Sequence, residues 1–308
     1  ANPKAHEETT GPEIWEQMEH DLDAVVLGIG SGGTLTGIGR FLRRVSPDVQ
    51  IVLADPLGSI LAPYVRTGEL VQAGSWTVEG IGEDFIPPNA DLSLVDRAYS
   101  ISDKEAVETA RALLAKEGIL GGSSSGTLLA AALRYCREQT EAKRVVTLIP
   151  DSGNKYLSKI YNDYWVLEQG LAERELHGDL RDLIARRFDR GGTVTVAPSD
   201  PLLIAYNRMR DSDVSQLPVV DNDRVIGILD ESDILAFVEG GEEHRAERFR
   251  KRVDAAMTRN LHTMQISDRL DALPRLFERN EVAIVLDGEK FVGLITRVDL
   301  LNHLRLNP

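Results

Sequence analysis

The stretch VVLGIGSGGTLTG, residues 25–37, restricts the fold more than any other part of the chain. A β-branched apolar run enters a glycine turn that opens onto a helical pattern, so a buried strand, a tight loop and a helix must follow one another directly. Such a loop offers backbone N–H groups at a helix N-terminus, which suits an anion. Two readings of it stand. Gly28, Gly30 and Gly33 meet the G-x-G-x-x-G spacing of a dinucleotide site, with Asp55 at the end of IVLAD as the ribose acid. Alternatively, Gly30, Ser31, Gly32, Gly33 and Thr34 form a cup in which amides and hydroxyls surround a single phosphomonoester. A turn that merely packs strand against helix is the plain alternative to both.

Around this loop, from residue 13 to about 165, strand-like runs (DAVVLGI, QIVLA, RVVTLI) alternate with helical ones. In SDKEAVETARALLAKEG, Ser102 is a natural N-cap, Glu105 can return the hydrogen bond and Gly118 stops the helix, while Val107, Ala110, Leu113 and Leu114 recur at helical spacing. The alternation predicts an α/β fold with a mostly parallel sheet, whose ligands bind at the carboxyl ends of the strands. Over 171–188, Leu176, Leu180, Leu183, Ile184 and Phe188 share one face of an amphipathic helical pattern, read as a connector between domains.

Beyond the connector the sequence repeats. VTVAPSDPLLIAYNRM and LPVVDNDRVIGILDESDIL are echoed by LHTMQISDRLDALPRLF and VAIVLDGEKFVGLITRVDLL, with Gly227 and Asp233 returning as Gly293 and Asp299 after 66 residues. Each unit reads strand, helix, strand, tight turn, strand, helix. One such unit buries little core alone, so the two should pack together.

Composition narrows the partners. A net charge of -14 argues against nucleic acid and anionic membrane, and no apolar run approaches the ~18 residues of a membrane span. Cys136 is the only cysteine, which excludes an intrachain disulfide; its place in LLAAALRYC predicts a buried, inert thiol. The histidines form no i,i+4 ligand pair, so no metal centre is expected. A cytoplasmic protein is the expectation. The chain opens on Ala1-Asn2-Pro3 and reads as the middle of a longer polypeptide.

GSGGTLTG, EGIGEDFIP (79–87), GGSSSGT (121–127) and PDSGNKYLSKIYND (150–163), in this order and spacing, resemble the fold type II enzymes dependent on pyridoxal 5'-phosphate. The repeat pair resembles a tandem CBS-domain (Bateman) module, and the combination resembles the cystathionine β-synthase family over nearly the whole chain. The resemblance implies a catalytic domain over 1–168, a helical linker over 169–190 and a regulatory or assembly module over 191–308. It implies that Gly30, Ser31, Gly32, Gly33 and Thr34 hold the cofactor phosphate, that Ser123 faces the pyridine nitrogen, and that Gly80 and Glu83 meet substrate. A serine hydroxyl can donate to a neutral ring nitrogen but cannot keep it protonated, which weakens the ring as an electron sink and favours prompt loss of a β-substituent.

The implied reaction is β-replacement, joining serine and homocysteine into cystathionine, with related thiol exchanges on cysteine that release hydrogen sulfide. An O-acetylserine-using cysteine synthase is the alternative enzyme, and a non-catalytic adenosine-ligand sensor is the alternative of another class. The Schiff-base lysine of the family is not found: none of Lys4, Lys104, Lys116, Lys143, Lys155, Lys159, Lys251 and Lys290 lies in the short S-x-K context that the family uses near its amino end, so the chain alone is expected to be inactive. No cysteine–histidine haem motif is visible.

Paired CBS units imply an adenosine ligand held by a hydroxyl and an acid at G-h-h-T-x-x-D. The second unit supplies Thr296 and Asp299; the first supplies Asp233 but has Asp230 where the hydroxyl belongs. That extra carboxylate disfavours phosphates, so S-adenosylmethionine fits the first unit better than an adenine nucleotide. A platform for dimers or higher homo-oligomers is the alternative role.

Overall fold

The computed structural model describes every residue except 173–175, 185, 241–243, 279–281 and 308. It divides into two compact units, 1–172 and 173–308.

The first unit is built on a four-stranded, all-parallel sheet of β1 (Ala24–Leu27), β2 (Gln50–Pro56), β3 (Arg97–Ile101) and β4 (Val145–Thr147) in the order β3-β2-β1-β4. Alternation decides what each face meets. Val25 and Leu27 pack with Leu35, Ile38, Phe41 and Leu42 of α1 (Gly33–Val45), whereas Ala24 and Val26 pack with Leu128, Ala131, Ala132 and Tyr135 of α3 (Ser123–Arg137). Burial on both faces explains why these strands read as unbroken apolar runs. Between them, α2 (Asp103–Glu117) begins where Ser102 Oγ accepts the Glu105 N–H at 3.2 Å and ends at Gly118, φ +70°.

Chain order runs outward from β1 through β2 to β3, then returns to place β4 on the other side of β1. The crevice beyond the carboxyl ends of β1 and β4 is therefore the switch point, where doubly wound sheets bind ligands. Cys136 is exposed, not buried as its helical context predicts. Helix α3 buries Ala132 and Tyr135, and the next position turns outward.

In the second unit, the first repeat consists of α4 (Leu202–Ser212), β5 (Gln216–Asp221), β6 (Arg224–Asp230) and α5 (Glu231–Glu239). The second has β7 (Thr263–Gln265), a short helical stretch, β8 (Ala283–Asp287), β9 (Lys290–Ile295) and α6 (Arg297–Leu306). The first strand of the first repeat is reduced to a bridge from Val196 to Val219.

The connector differs from the helix its periodicity predicts. Residues 173–175 and 185 of it lie outside the described residues; the remainder holds two 3-10 turns, Leu180–Asp182 and Phe188–Arg190. Asp182 accepts the N–H groups of His177 and Gly178, and Asp179 accepts that of Arg181, so aspartate side chains take backbone donors that a helix would use. Gly178 and Gly191 sit at positive φ. Leu180, Leu183 and Ile184 are buried, packed with Leu273, Phe277 and Val285 of the second repeat.

Candidate functional site

The glycine loop leaves the buried end of β1 and becomes α1 within a few residues. Gly32 has φ +85°, a conformation that penalises any side chain, and a Cβ there would lie 2.6 Å from the Ala90 backbone. A Cβ on Gly30 would come within 2.5 Å of the Gly80 carbonyl oxygen. Helix α1 has no side-chain N-cap, so its first amides are left to face the loop mouth, beside the Ser31 and Thr34 hydroxyls. This donor set, free of carboxylates and with no room for a Cβ at Gly30 or Gly32, fits a phosphomonoester. Asp55 is unsuited to the ribose of a dinucleotide: it is fully buried and its Oδ2 accepts the Ala62 N–H at 2.8 Å, capping a neighbouring helix. Burial pushes its carboxyl up to about 6.

Hydrogen bonds then join the remaining motifs to the cup. In EGIGEDF, the Gly82 N–H donates to the Ile29 carbonyl at 2.8 Å, and Glu83 exchanges backbone bonds with Ser59 Oγ. The Glu83 side chain is half-buried, and burial, with the Asp84 charge second, holds its carboxyl above the ordinary value. Ser123, buried at the start of α3, accepts the Glu79 N–H at 3.0 Å, and Glu79 Oε1 in turn receives Lys159 Nζ at 2.5 Å. Across the same helix start, the Gly122 N–H donates to the Asp151 carbonyl, and the Tyr161 hydroxyl to the Gly121 carbonyl. Tyr156 donates to Asp151 Oδ2 at 3.0 Å; burial first, and that bond second, push the phenol up to about 12.

Four stretches far apart in sequence thus form one hydrogen-bonded rim at the switch point. Spacing alone did not point to Glu79, Asp151, Tyr156 or Lys159 as links in it. Their signal was the motif each belongs to.

In the second unit the predicted ligand residues occupy two matching helix starts. Thr296 and Asp299 form a capping box at α6, and Asp230 and Asp233 form one at α5, with the Asp233 N–H donating to Asp230 Oδ1 at 2.7 Å. Asp230 therefore does the N-cap work that Thr296 does in the other repeat. Asp230 and Asp233 also line a cavity of about 140 Å³ with Gln216, Thr258, Asn260 and His262. Burial holds the Asp233 carboxyl above its ordinary value. Thr296 and Asp299 do not line that cavity. Among the described residues no cluster of metal-ligating side chains occurs, and no helix is long and apolar enough to cross a membrane.

Residues 1–151 match the family described as pyridoxal-phosphate dependent enzyme, and residues 181–240 and 252–306 match the CBS domain. The chain is 32% identical over 320 residues to a cystathionine beta-synthase of Apis mellifera, covering 99% of this chain and 61% of that protein. It is 30% identical over 345 residues to the cystathionine beta-synthase of Saccharomyces cerevisiae, covering 98% of this chain and 68% of that protein. Cysteine synthase A of Escherichia coli is 43% identical over 161 residues, 51% of this chain and 50% of that enzyme.

Proposed function

Because the chain belongs to the cystathionine β-synthase family of pyridoxal-phosphate dependent enzymes, we propose that its first unit performs β-replacement, condensing serine with homocysteine to cystathionine and exchanging thiols on cysteine with release of hydrogen sulfide. The observation that carries this reading is the single rim made by the four motifs. Pyridoxal phosphate, when bound, supplies the electron sink that labilises the α-proton and the β-substituent of an amino acid. Gly30 to Thr34 would grip its phosphate through the α1 amides and the Ser31 and Thr34 hydroxyls. A hydroxyl from the start of α3 would meet the ring nitrogen. Ser123 is the first candidate and donates there while its oxygen keeps the Glu79 amide; Ser124, buried beside it, is the second.

The loop from Gly80 to Glu83 would border the amino-acid substrates. Positive φ at Gly80 and Gly82 brings this backbone over the cup, and the Glu83 carboxylate offers an acceptor to the amino group of the thiol substrate. The family reaction also needs a Schiff-base lysine as base and acid. None of the chain's eight lysines lies in the amino-terminal S-x-K context of the family.

Cysteine synthase activity is the second reading, favoured by the 43% identity over 161 residues to the Escherichia coli enzyme. The chain spans 51% to 68% of the length of the cystathionine beta-synthases it matches. Turnover is therefore compared on the protein in its natural form, with serine plus homocysteine set against O-acetylserine plus sulfide. Faster consumption of the second pair overturns the first reading. Substitutions S123A and S124A, read by the absorbance of the bound cofactor, identify the hydroxyl at the ring.

The second unit is proposed as the regulatory and assembly part. The paired carboxylates of the first-repeat cavity support a ligand without phosphates, such as S-adenosylmethionine, over an adenine nucleotide. Exposed Leu235 on α5 and Val298, Leu301 and Leu304 on α6 support a homo-oligomer joined through this unit. Calorimetry with both ligand types and sedimentation of the chain test the two statements.

A further inference from the structure

Two side chains outside the glycine motif reach the cup. Residues 2–17 form a helical segment, and Gly33 and Gly37, one turn apart on α1, let it approach closely. A Cβ on Gly33 would lie 2.4 Å from the Asn2 side chain, and one on Gly37 would lie 2.2 Å from the Pro3 carbonyl oxygen. An ion pair between Glu7 and Arg44 ties the same two elements. The approach sets Asn2 Nδ2 3.1 Å from Ser31 Oγ and His6 Nε2 3.2 Å from Thr34 Oγ1. His6–Thr10 is a π-turn, closed by the Gly11 N–H on the His6 carbonyl, and this widened turn puts Thr10 Oγ1 3.0 Å from His6 Nδ1.

The directions of these bonds have a consequence for the cup. A hydroxyl carries one proton, and an amide nitrogen only donates. Ser31 Oγ accepts from Asn2, so its own proton is left for another acceptor. His6 protonated at Nε2 donates to Thr34 while Nδ1 accepts from Thr10; the imidazolium donates to Thr34 as well. In either state the Thr34 proton is freed, whereas in the Nδ1–H tautomer Nε2 accepts from Thr34 and holds it, so the cup requires the proton at Nε2.

We propose that Asn2 and His6 are positioning residues of the phosphate cup, donating to Ser31 and Thr34 so that both hydroxyl protons point at a bound phosphate oxygen. The proposal rests on the reading of Gly30–Thr34 as that cup.

The test titrates the full chain with pyridoxine 5'-phosphate and with pyridoxine. Neither carries an aldehyde, so binding reports ring and phosphate without Schiff-base chemistry. Wild type should prefer the phosphate ester. N2A and H6L should each lose about tenfold in affinity for the ester and nothing for pyridoxine, since an oriented hydrogen bond to a charged group is at stake. H6Q, whose amide can replace the Nε2 donor, should return to within about threefold of wild type. The ³¹P shift of the bound ester should move in N2A and H6L and return in H6Q. If wild type prefers the ester but N2A and H6L bind it equally well, or if H6Q is as weak as H6L, the positioning role is wrong. If wild type does not distinguish ester from alcohol, the cup reading itself fails and takes the proposal with it.

Discussion

Gly32→Ala should damage both the fold and the cup, and two companion substitutions separate the causes. At Gly68, φ is +74° and nothing lies within 4 Å of an added Cβ, so alanine there meets only the left-handed penalty, about 1 kcal/mol. At Gly30 an added Cβ meets the Gly80 carbonyl oxygen at 2.5 Å without a positive φ, so alanine there meets only overpacking against backbone, about 1–3 kcal/mol. Gly32 combines φ +85° with an approach of 2.6 Å to the Ala90 backbone, and its cost should be the sum, about 2–4 kcal/mol. For a unit of 172 residues, 1 kcal/mol moves the melting point by about 2–4 °C. Gly68→Ala should therefore lower it by about 3 °C and Gly32→Ala by about 10 °C. Thermal melts by circular dichroism, paired with pyridoxine 5'-phosphate titration, check this. Gly68→Ala should bind the ester normally, and Gly30→Ala and Gly32→Ala should not. A Gly32→Ala protein as stable as Gly68→Ala, with ester binding intact, refutes the reasoning.

Other predictions follow from single groups. Asp55 has a folded value of about 6 against an ordinary 3.8, so the fold favours its protonated form. Its contribution is complete below about pH 4 and is lost as the pH rises through 6, a swing of about 3 kcal/mol. D55N should gain that much on wild type between pH 4 and pH 8 in denaturant titrations, and a gap that is constant with pH contradicts the assignment. T296A should cost the second unit about 1 kcal/mol by removing the α6 cap, measured by urea unfolding. D230N keeps a capping side chain, so it should stay within about 0.5 kcal/mol of wild type while calorimetry shows tighter binding of AMP. Borohydride reduction of the 308-residue chain with pyridoxal phosphate should leave every one of its eight lysines unmodified at a specific site; one labelled lysine mapped by mass spectrometry sinks that expectation.

The strand, glycine loop and helix were legible because each rests on a local rule: β-branched burial, left-handed backbone, and helix initiation. Ser102 and Gly118 could be placed for the same reason, since caps act within a turn. The connector misled because periodicity registers only where leucines fall, whereas Asp179 and Asp182 captured the backbone donors and Gly178 bent the chain away. Cys136 was misplaced by one position on a helix whose buried face ends at Tyr135. Asn2 and His6 lay beyond any spacing rule. Their approach to the cup depends on Gly33 and Gly37 lying on one face of α1, a tertiary fact whose only trace in the sequence is a pair of glycines four residues apart.

The most direct test of the phosphate cup is a crystal structure of the protein with pyridoxal phosphate. The phosphate should lie at hydrogen-bond distance from the amides of Gly30–Thr34, with the pyridine nitrogen against a hydroxyl of Ser123 or Ser124. An adenine dinucleotide bound across Gly30, or cofactor phosphate seated anywhere else, contradicts the account.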